Sequence, residues 1–385
     1  MPVLDRIADF ADDLTEIRRD FHRHPELGFQ EVRTSGRVAD LLESWGVEVT
    51  RGIGGTGVVG VLHGTRPGRR IGLRADMDAL PMQEMTNLPW ASETPGVFHG
   101  CGHDGHTTML LGAARYLAET RDFAGTAVFI FQPAEEGLGG ARAMIRDGLF
   151  ERFPCDELYG MHNAPDHAPG RVGVKPGPAM AGSDFFDITV RGRGSHGAQP
   201  QDSIDPVMIG AALVGQVQSI VARNLAPTDP AVVSVTKFQS GSAYNVIPDS
   251  ALLSGTIRYF DAATGRTIAA RLQALCDGFA RAHGCEIELR LWNVFDVLCN
   301  DPALSAGMIA CAADIVGADN SFEKTTLQTG SEDMADMLRL VPGAYCTLGH
   351  GGDVPLHNPG FVLDDAILPV GASLYAHLVE TRGAL

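Results

Sequence analysis

At 385 residues, with 44% hydrophobic and 20% charged residues, the chain is globular in composition and too long for one ordinary core, so two domains are expected. The formal net charge of −17 argues against nucleic acid and anionic membrane as partners, because both would repel it. Seven cysteines without regular spacing fit reduced thiols better than a disulfide framework. Cys155, Cys276, Cys285, Cys299, Cys311 and Cys346 read as small apolar residues in or near a core.

Met1 to Arg23 carries Asp5, Asp9, Asp12, Asp13 and Glu16 among apolar positions, the pattern of an acidic amphipathic helix rather than a signal peptide. No stretch approaches the roughly 18 uninterrupted apolar residues of a membrane span. A cytoplasmic protein is the expectation. The run from His22 to Glu31 turns at Pro25, and His22 and His24 are assigned to that turn. A helical period follows over Thr34 to Trp45. Gly52-Ile53-Gly54-Gly55-Thr56-Gly57 matches a dinucleotide fingerprint, but Val58 to Leu62 behind it is a strand pattern, so a glycine hairpin is expected.

Strand and helix then alternate as in an open α/β sheet. Ile71 to Ala75 is a strand ending in Asp76-Met77-Asp78, and a helix is expected from about Thr107 to Ala118. Thr126 to Phe131 is a strand running into Glu135-Glu136, with a helix near Ala141 to Asp147. Leu158 to Met161 is a strand delivering His162. Sites in such sheets form beyond the C-terminal strand ends, where Asp76, Asp78, Glu135, Glu136 and His162 all fall. From Ser183 the order becomes strand (Phe185–Arg191), helix (Pro206–Arg223), two strands (Val232–Phe238, Ala251–Tyr259), helix (Ala262–Ala282) and strand (Glu286–Trp292). This is the βαββαβ order of a ferredoxin-like unit, inserted between residues 1–182 and 295–385. The α/β pattern then resumes with a strand over Ala344 to Leu348, His357 beyond it, and a closing helix from about Asp365.

The chemistry concentrates in His99-Gly100-Cys101-Gly102-His103-Asp104-Gly105-His106. Imidazole nitrogen and thiolate sulfur are preferred donors for zinc, at about 2.0–2.3 Å. No paired C-x-x-C spacing accompanies them, so the remaining ligands come from far away in sequence, as in catalytic sites. The candidates are Cys101, His103, Glu136, His162 and His357, more donors than one tetrahedral ion needs and enough for two divalent ions. Two carboxylates in one turn cannot easily bind the same ion; one of the Glu135-Glu136 pair can ligate while the other stays free as a general base. A solvated helix start is the plain alternative for that pair. Asp78 is either a strand-end aspartate or a support for a ligand imidazole. Asp104 and His106 are read as a helix cap or supporting groups, and His63, His167, His283, His350 and His377 have no supporting context.

Arg74-Ala75-Asp76-Met77-Asp78-Ala79-Leu80-Pro81, the octapeptide, Gln132-Pro-Ala-Glu-Glu-Gly137, Asn245-Val-Ile-Pro-Asp249, Gly330-Ser-Glu-Asp333 and His357-Asn-Pro occur in one order along the whole chain. Together they resemble the dinuclear-metal amidohydrolases that include hippurate hydrolases and auxin-conjugate hydrolases. The resemblance implies a zinc-peptidase-like catalytic domain, a mixed sheet flanked by helices, and an inserted ferredoxin-like lid over 183–294 that joins homodimers or dimers of dimers. It implies two divalent metal ions, zinc or manganese with nickel or cobalt as alternatives, held by His103, Glu136, His162 and His357 around a bridging Cys101. Glu135 would act as general base toward a metal-bridging water, with Asp78 supporting the ligands. In the lid, His196 would bind the substrate carbonyl, and Asn245 and Arg258 the free carboxylate. The implied reaction splits N-acyl amino acids, hippurate-like or N-acetyl, into a carboxylic acid and an amino acid. A dipeptidase or small-peptide carboxypeptidase with the same site is the alternative, and a non-catalytic metal-binding relative is disfavoured because the base and all five ligands are intact. Gln201 stands where many relatives have a histidine and Met334 where phenylalanine is common; both bear on the substrate pocket.

Overall fold

The computed structural model describes residues 3–384. Contacts divide the chain into one unit of Met1–Gly177, Cys299–Thr326 and Asp333–Leu385 and another of Pro178–Leu298 with Leu327–Glu332. The short return segment clusters with the second unit because Gln328 N–H donates to Ala179 O, and Ala181 N–H donates to the carbonyls of Gln328 and Gly330.

Among the described residues the first unit builds an eight-stranded sheet. Its order is Glu48–Ile53, Gly57–His63, Ala124–Gln132, Arg66–Asp76, Glu157–Ala164, Gly343–Gly349, Val172–Val174 and Ser321–Glu323. The four neighbours in the middle, from Ala124–Gln132 to Gly343–Gly349, are mutually parallel. Helices cover the faces of such strands, so their residues are near-continuously apolar; Ala127 to Phe131 and Ile71 to Ala75 are buried without a break. Parallel strands also put every C-terminal end on the same edge, where Asp76, Gln132 and His162 arrive together.

The glycine run is a hairpin, as the strand pattern behind it required. Gly52, Gly54 and Gly55 take φ of 78°, 65° and 100°, and the flanking strands pair antiparallel. Two expectations shift. The N-terminal helix is broken at Phe10 into Asp5–Asp9 and Ala11–Arg23, residues 1–2 lying outside the described chain. The helix after the metal-donor octapeptide begins at His103 rather than Thr107, because Gly102 turns the chain at φ 87°. A helix not anticipated, Pro302–Val316, carries a plain start signal: the Asp301 carboxylate accepts from the Ala303 and Leu304 amides, and Pro302 follows it. Cys276, Cys311 and Cys346 are buried and Cys155 and Cys285 partly so, but Cys299 is exposed, correcting its core assignment; all seven thiols are free among the described residues.

The second unit has a four-stranded antiparallel sheet in the order Ala231–Ser240, Ser250–Tyr259, Gly182–Arg191, Glu286–Phe295. Numbered along the chain this is 4-1-3-2 from the other edge, the ferredoxin-like arrangement of a βαββαβ chain. Strand period two sets its core: Phe186, Ile188 and Val190 on one strand face Leu253 and Ile257 on the next. The helix Pro206–Asn224 is long and apolar enough to cross a membrane by length and composition. In this fold its Ile209, Leu213, Val217 and Ile220 belong to the unit's core instead.

A buried ionic knot ties the Ala11–Arg23 helix to the His103–Thr120 helix. Asp104 receives His22 Nδ1 at 2.7 Å and Arg18 Nη1 at 3.5 Å, and Arg18 is 1% exposed. Burial alone would raise the Asp104 carboxyl, but His22, His99 and Arg18 overcome it and hold the group far below the usual range. Asp104→Asn is therefore expected to cost about 1–3 kcal/mol in urea unfolding at pH 7, since it takes the carboxylate from the buried His22 pair, while Arg18 keeps its 2.5 Å ion pair with Asp365. An unfolded aspartate protonates near pH 3.9 and the folded one well below that. The contribution is thus full above about pH 5, and the gap between variant and wild type closes as the pH drops below about 4. A gap unchanged at pH 3 would contradict the assignment.

Candidate metal centre

Four chain segments reach one edge of the sheet in the first unit. The Arg66–Asp76 strand ends in Asp76 and then Asp78. The Ala124–Gln132 strand leads into Glu135 and Glu136, and the Glu157–Ala164 strand carries His162. The fourth strand, Gly343–Gly349, opens the loop that holds His357. Between them Cys101 and His103 enter at the helix start. His357 N–H donates to Gly100 O at 2.9 Å, pinning the far loop onto the octapeptide. Ala134 and His357 have φ of 54° and 61°, left-handed values uncommon for residues with a Cβ. Strained backbone of this kind clusters where side chains are aimed for function.

Two trios of donor atoms share Cys101. Its sulfur groups with His103 and His162, and again with Glu136 and His357, every atom of a trio within 4.8 Å of the others. Cys101 Sγ lies 3.4 Å from His162 Nε2. His357 Nε2 and Glu136 Oε1 approach to 3.1 Å, yet Glu136 Oε1 is buried without a hydrogen bond. His103 Nε2 is likewise buried and unpartnered. Buried polar atoms without partners are costly, and their convergence on a point fits a pair of divalent cations. Burial pushes the Cys101 thiol up to about 12, so it becomes a thiolate only when a cation replaces its proton. The sulfur, nitrogen and carboxylate set suits zinc and its borderline-soft neighbours.

The opposite ring nitrogens are already spoken for. His103 Nδ1 lies 3.0 Å from Asp78 O and 3.2 Å from Asp78 Oδ1, and His162 Nδ1 lies 2.7 Å from Asn163 O. Donation there places the protons on Nδ1 and leaves each Nε2 lone pair for an ion. Asp78 also accepts the Glu136 backbone amide at 3.0 Å, so one carboxylate orients two candidate donors. His106 is not a ligand: Nδ1 meets Asp76 Oδ1 at 2.6 Å and Nε2 accepts the Asn163 amide at 3.0 Å. Asn163 in turn binds Cys101 O at 2.6 Å and His350 Nε2 at 3.1 Å. His350, which has no supporting context in sequence, and His22, which the sequence places at a turn, are buried structural partners. Their sequence context gave no sign of it, because each partner is remote in the chain.

Glu135 is buried, and the Asp333 amide reaches its Oε1 at 3.4 Å. Asp333 is itself fixed by Arg74 at 3.0 Å, Gln132 at 2.7 Å and the Ala141 amide at 2.9 Å. Arg74 extends the network to Asp76 at 2.7 Å. Burial would raise the Asp76 carboxyl, but His103, Arg74 and His106 outweigh it and hold Asp76 well below the carboxylate range. The base candidate therefore stands on a rigid, charge-balanced floor.

The remaining candidates lie in the second unit. His196 and Asn245 line one recess of about 620 Å³. His196 Nδ1 accepts the Ala198 amide at 3.1 Å, which places its neutral-form proton on Nε2. Arg258 does not line that recess; it is half-buried and donates to Ser331 Oγ at 2.5 Å, and no carboxylate pairs with it among the described residues. Burial lowers its pKa accordingly.

A family model described as peptidase family M20/M25/M40 matches residues 72–381. The hippurate hydrolase of Campylobacter jejuni is 42% identical over 98% of both chains. The N-acetylcysteine deacetylase of Bacillus subtilis is 37% identical over 96% of both. Among solved structures, a dinuclear metal binding peptidase of the M20 family from Bacillus subtilis superposes with a TM-score of 0.85 at 34% identity, covering 98% of this chain and 99% of that one.

Because Cys101 belongs to both trios and His357 to one, their removal should differ. In metal analysis of desalted protein, Cys101→Ala is expected to drop below one ion per chain while His357→Ala keeps about one. Equal losses would contradict a shared thiolate.

Proposed function

The chain belongs to peptidase family M20/M25/M40, and we propose that within it this protein hydrolyses the amide bond of N-acyl amino acids, releasing a carboxylic acid and a free amino acid. It is a metal-dependent amidohydrolase; the observation that carries the reading is Glu135, buried and held by Asp333 beside a thiolate-centred donor set but not needed to complete either trio around Cys101. Its relatives' names support the substrate class, being a hippurate hydrolase and an N-acetylcysteine deacetylase.

When bound, the ions supply Lewis-acid polarisation of a carbonyl and lower the pKa of water toward about 7. Glu135 removes a proton from the attacking water as the C–O bond forms, and returns it to the amine nitrogen as the tetrahedral adduct collapses and the C–N bond breaks, so no proton is lost to bulk solvent. The Asp333 amide holds the Glu135 carboxylate in place through both transfers. For the second unit the proposal is recognition. Arg258, a half-buried guanidinium without a carboxylate of its own, suits the free carboxylate of an amino acid. His196, with its neutral-form proton on Nε2, suits a carbonyl oxygen as charge develops on it. Zinc is favoured among the metals by the softness of the thiolate.

A homodimer through the second unit is part of the same reading. The Ala231–Ser240 strand is an edge of its sheet with Val232 and Phe238 exposed, and the Pro206–Asn224 helix exposes Val207 and Met208 with no charge before Arg223. Open edges and uncharged helix faces are features natural proteins usually cover. The charge and the reduced cysteines support a cytoplasmic location.

Metal-replete protein is expected to release amino acid from benzoylglycine or N-acetyl amino acids, and Glu135→Gln to lower turnover by about 10²–10⁴ while retaining its metal. Cleavage of dipeptides alone would replace the reading with a peptidase. A Glu135→Gln variant with near-wild-type turnover would remove Glu135 as the base.

A further inference from the structure

The turn that carries Glu135 and Glu136 depends on a carboxylate from a distant segment. We infer that Glu31 is a positioning residue for this turn, acting through the backbone of Ala134. Glu31 is fully buried at the end of the loop that follows the first helices. Its Oε1 accepts the Ala134 amide at 2.8 Å, and its Oε2 accepts the Thr56 hydroxyl at 2.5 Å. Ala134 has φ 54° and immediately precedes the two glutamates. A left-handed alanine persists only where its surroundings hold it, and here the Glu31 contact fixes its amide while Gly140 N–H donates to its carbonyl at 3.0 Å. Gly28 lies against the same residue so closely that a Cβ on it would come within 3.0 Å of Ala134.

The glycine hairpin acquires a purpose in this arrangement. Its Thr56 braces the far oxygen of Glu31, so a loop that resembles a nucleotide motif serves to fix a carboxylate. Glu31 touches none of the donors grouped around Cys101. It sets where the chain turns, and the turn sets where Glu135 and Glu136 point. The inference rests on the hydrolase reading for the role of Glu135, but the contacts are independent of it.

Glutamine at position 31 can keep both contacts, its carbonyl accepting from Ala134 and its amide donating to the Thr56 oxygen; alanine keeps neither. Zinc affinity of the metal-free protein would be measured by competition with a chromogenic chelator, alongside kcat, KM and thermal melting. Glu31→Ala is expected to weaken zinc binding and lower kcat by about 10–100-fold, with a smaller change in KM. Glu31→Gln should retain most of both. The decisive variant is Glu31→Ala with Ala134→Gly, because glycine adopts the left-handed turn without help and should restore most of the loss. Wild-type zinc affinity and kcat in Glu31→Ala would overturn the inference, as would a loss that Ala134→Gly does not reverse. Should Glu31→Ala fail to fold, Thr56→Val takes its place: a smaller loss reversed by Ala134→Gly supports the inference, and no loss overturns it. The zinc titration needs no substrate, so a wild-type protein inactive on every N-acyl amino acid would end the functional reading and still leave Glu31 to be decided.

Discussion

A buried thiol among carboxylates and imidazoles is the constraint on which the rest of the site depends. Cys101 sits where burial resists its ionisation, with donor atoms of His103, His162, Glu136 and His357 grouped around it. Hydrogen bonds within the protein leave His103 Nε2 and Glu136 Oε1 without partners. Divalent cations held by these residues would reverse these penalties together, taking the thiol proton's place on Cys101 and giving the orphaned atoms a partner. The fold around the site can be read as the apparatus that makes this crowding reproducible. Four parallel strands bring their ends to one edge, and a helix starts there with Gly102 as its turn.

Around the donors lies a shell that decides which lone pair each presents. Asp78 and Asn163 O take the rear nitrogens of His103 and His162, while Asp76 and Asn163 consume both nitrogens of His106. That difference separates His103, with a lone pair left for an ion, from His106, with both nitrogens in use, although the two look alike in the octapeptide. The Arg74–Asp76–Asp333 network then links the support under His106 to the support under Glu135. Displacing one aspartate would therefore be felt by a candidate metal donor and by the candidate base together, and deletions within this shell should not be additive.

Much of this was legible in the chain itself, for specific reasons. Parallel strands are buried on both faces and read as near-continuous apolar runs, broken in Ile71–Ala75 only by Arg74, so Ile71–Ala75 and Thr126–Phe131 stand out, and the polar residues just past them mark the site edge. The βαββαβ order of the second unit is legible as alternating strand and helix stretches, and the structure adds the Asp205 and Asp261 carboxylates that cap its two helices. What was not legible depends on contacts remote in sequence. Glu31 pairs with residues 25 and 103 positions away, His350 with Asn163, and His22 with Asp104. Nothing in the local pattern around any of them distinguishes a buried partner from a surface residue. The helix Pro302–Val316 is legible too, for Asp301-Pro302 is a sound start signal.

The most direct test of the central claim is X-ray absorption at the zinc edge of the fully loaded protein. A thiolate shared by two ions predicts a sulfur scatterer at about 2.3 Å and a metal–metal vector at about 3.5–4 Å, the spacing of two-metal sites. In Cys101→Ala both features should vanish. A coordination shell of nitrogen and oxygen alone, or a sulfur shell with no second metal at full loading, would contradict the shared-thiolate account.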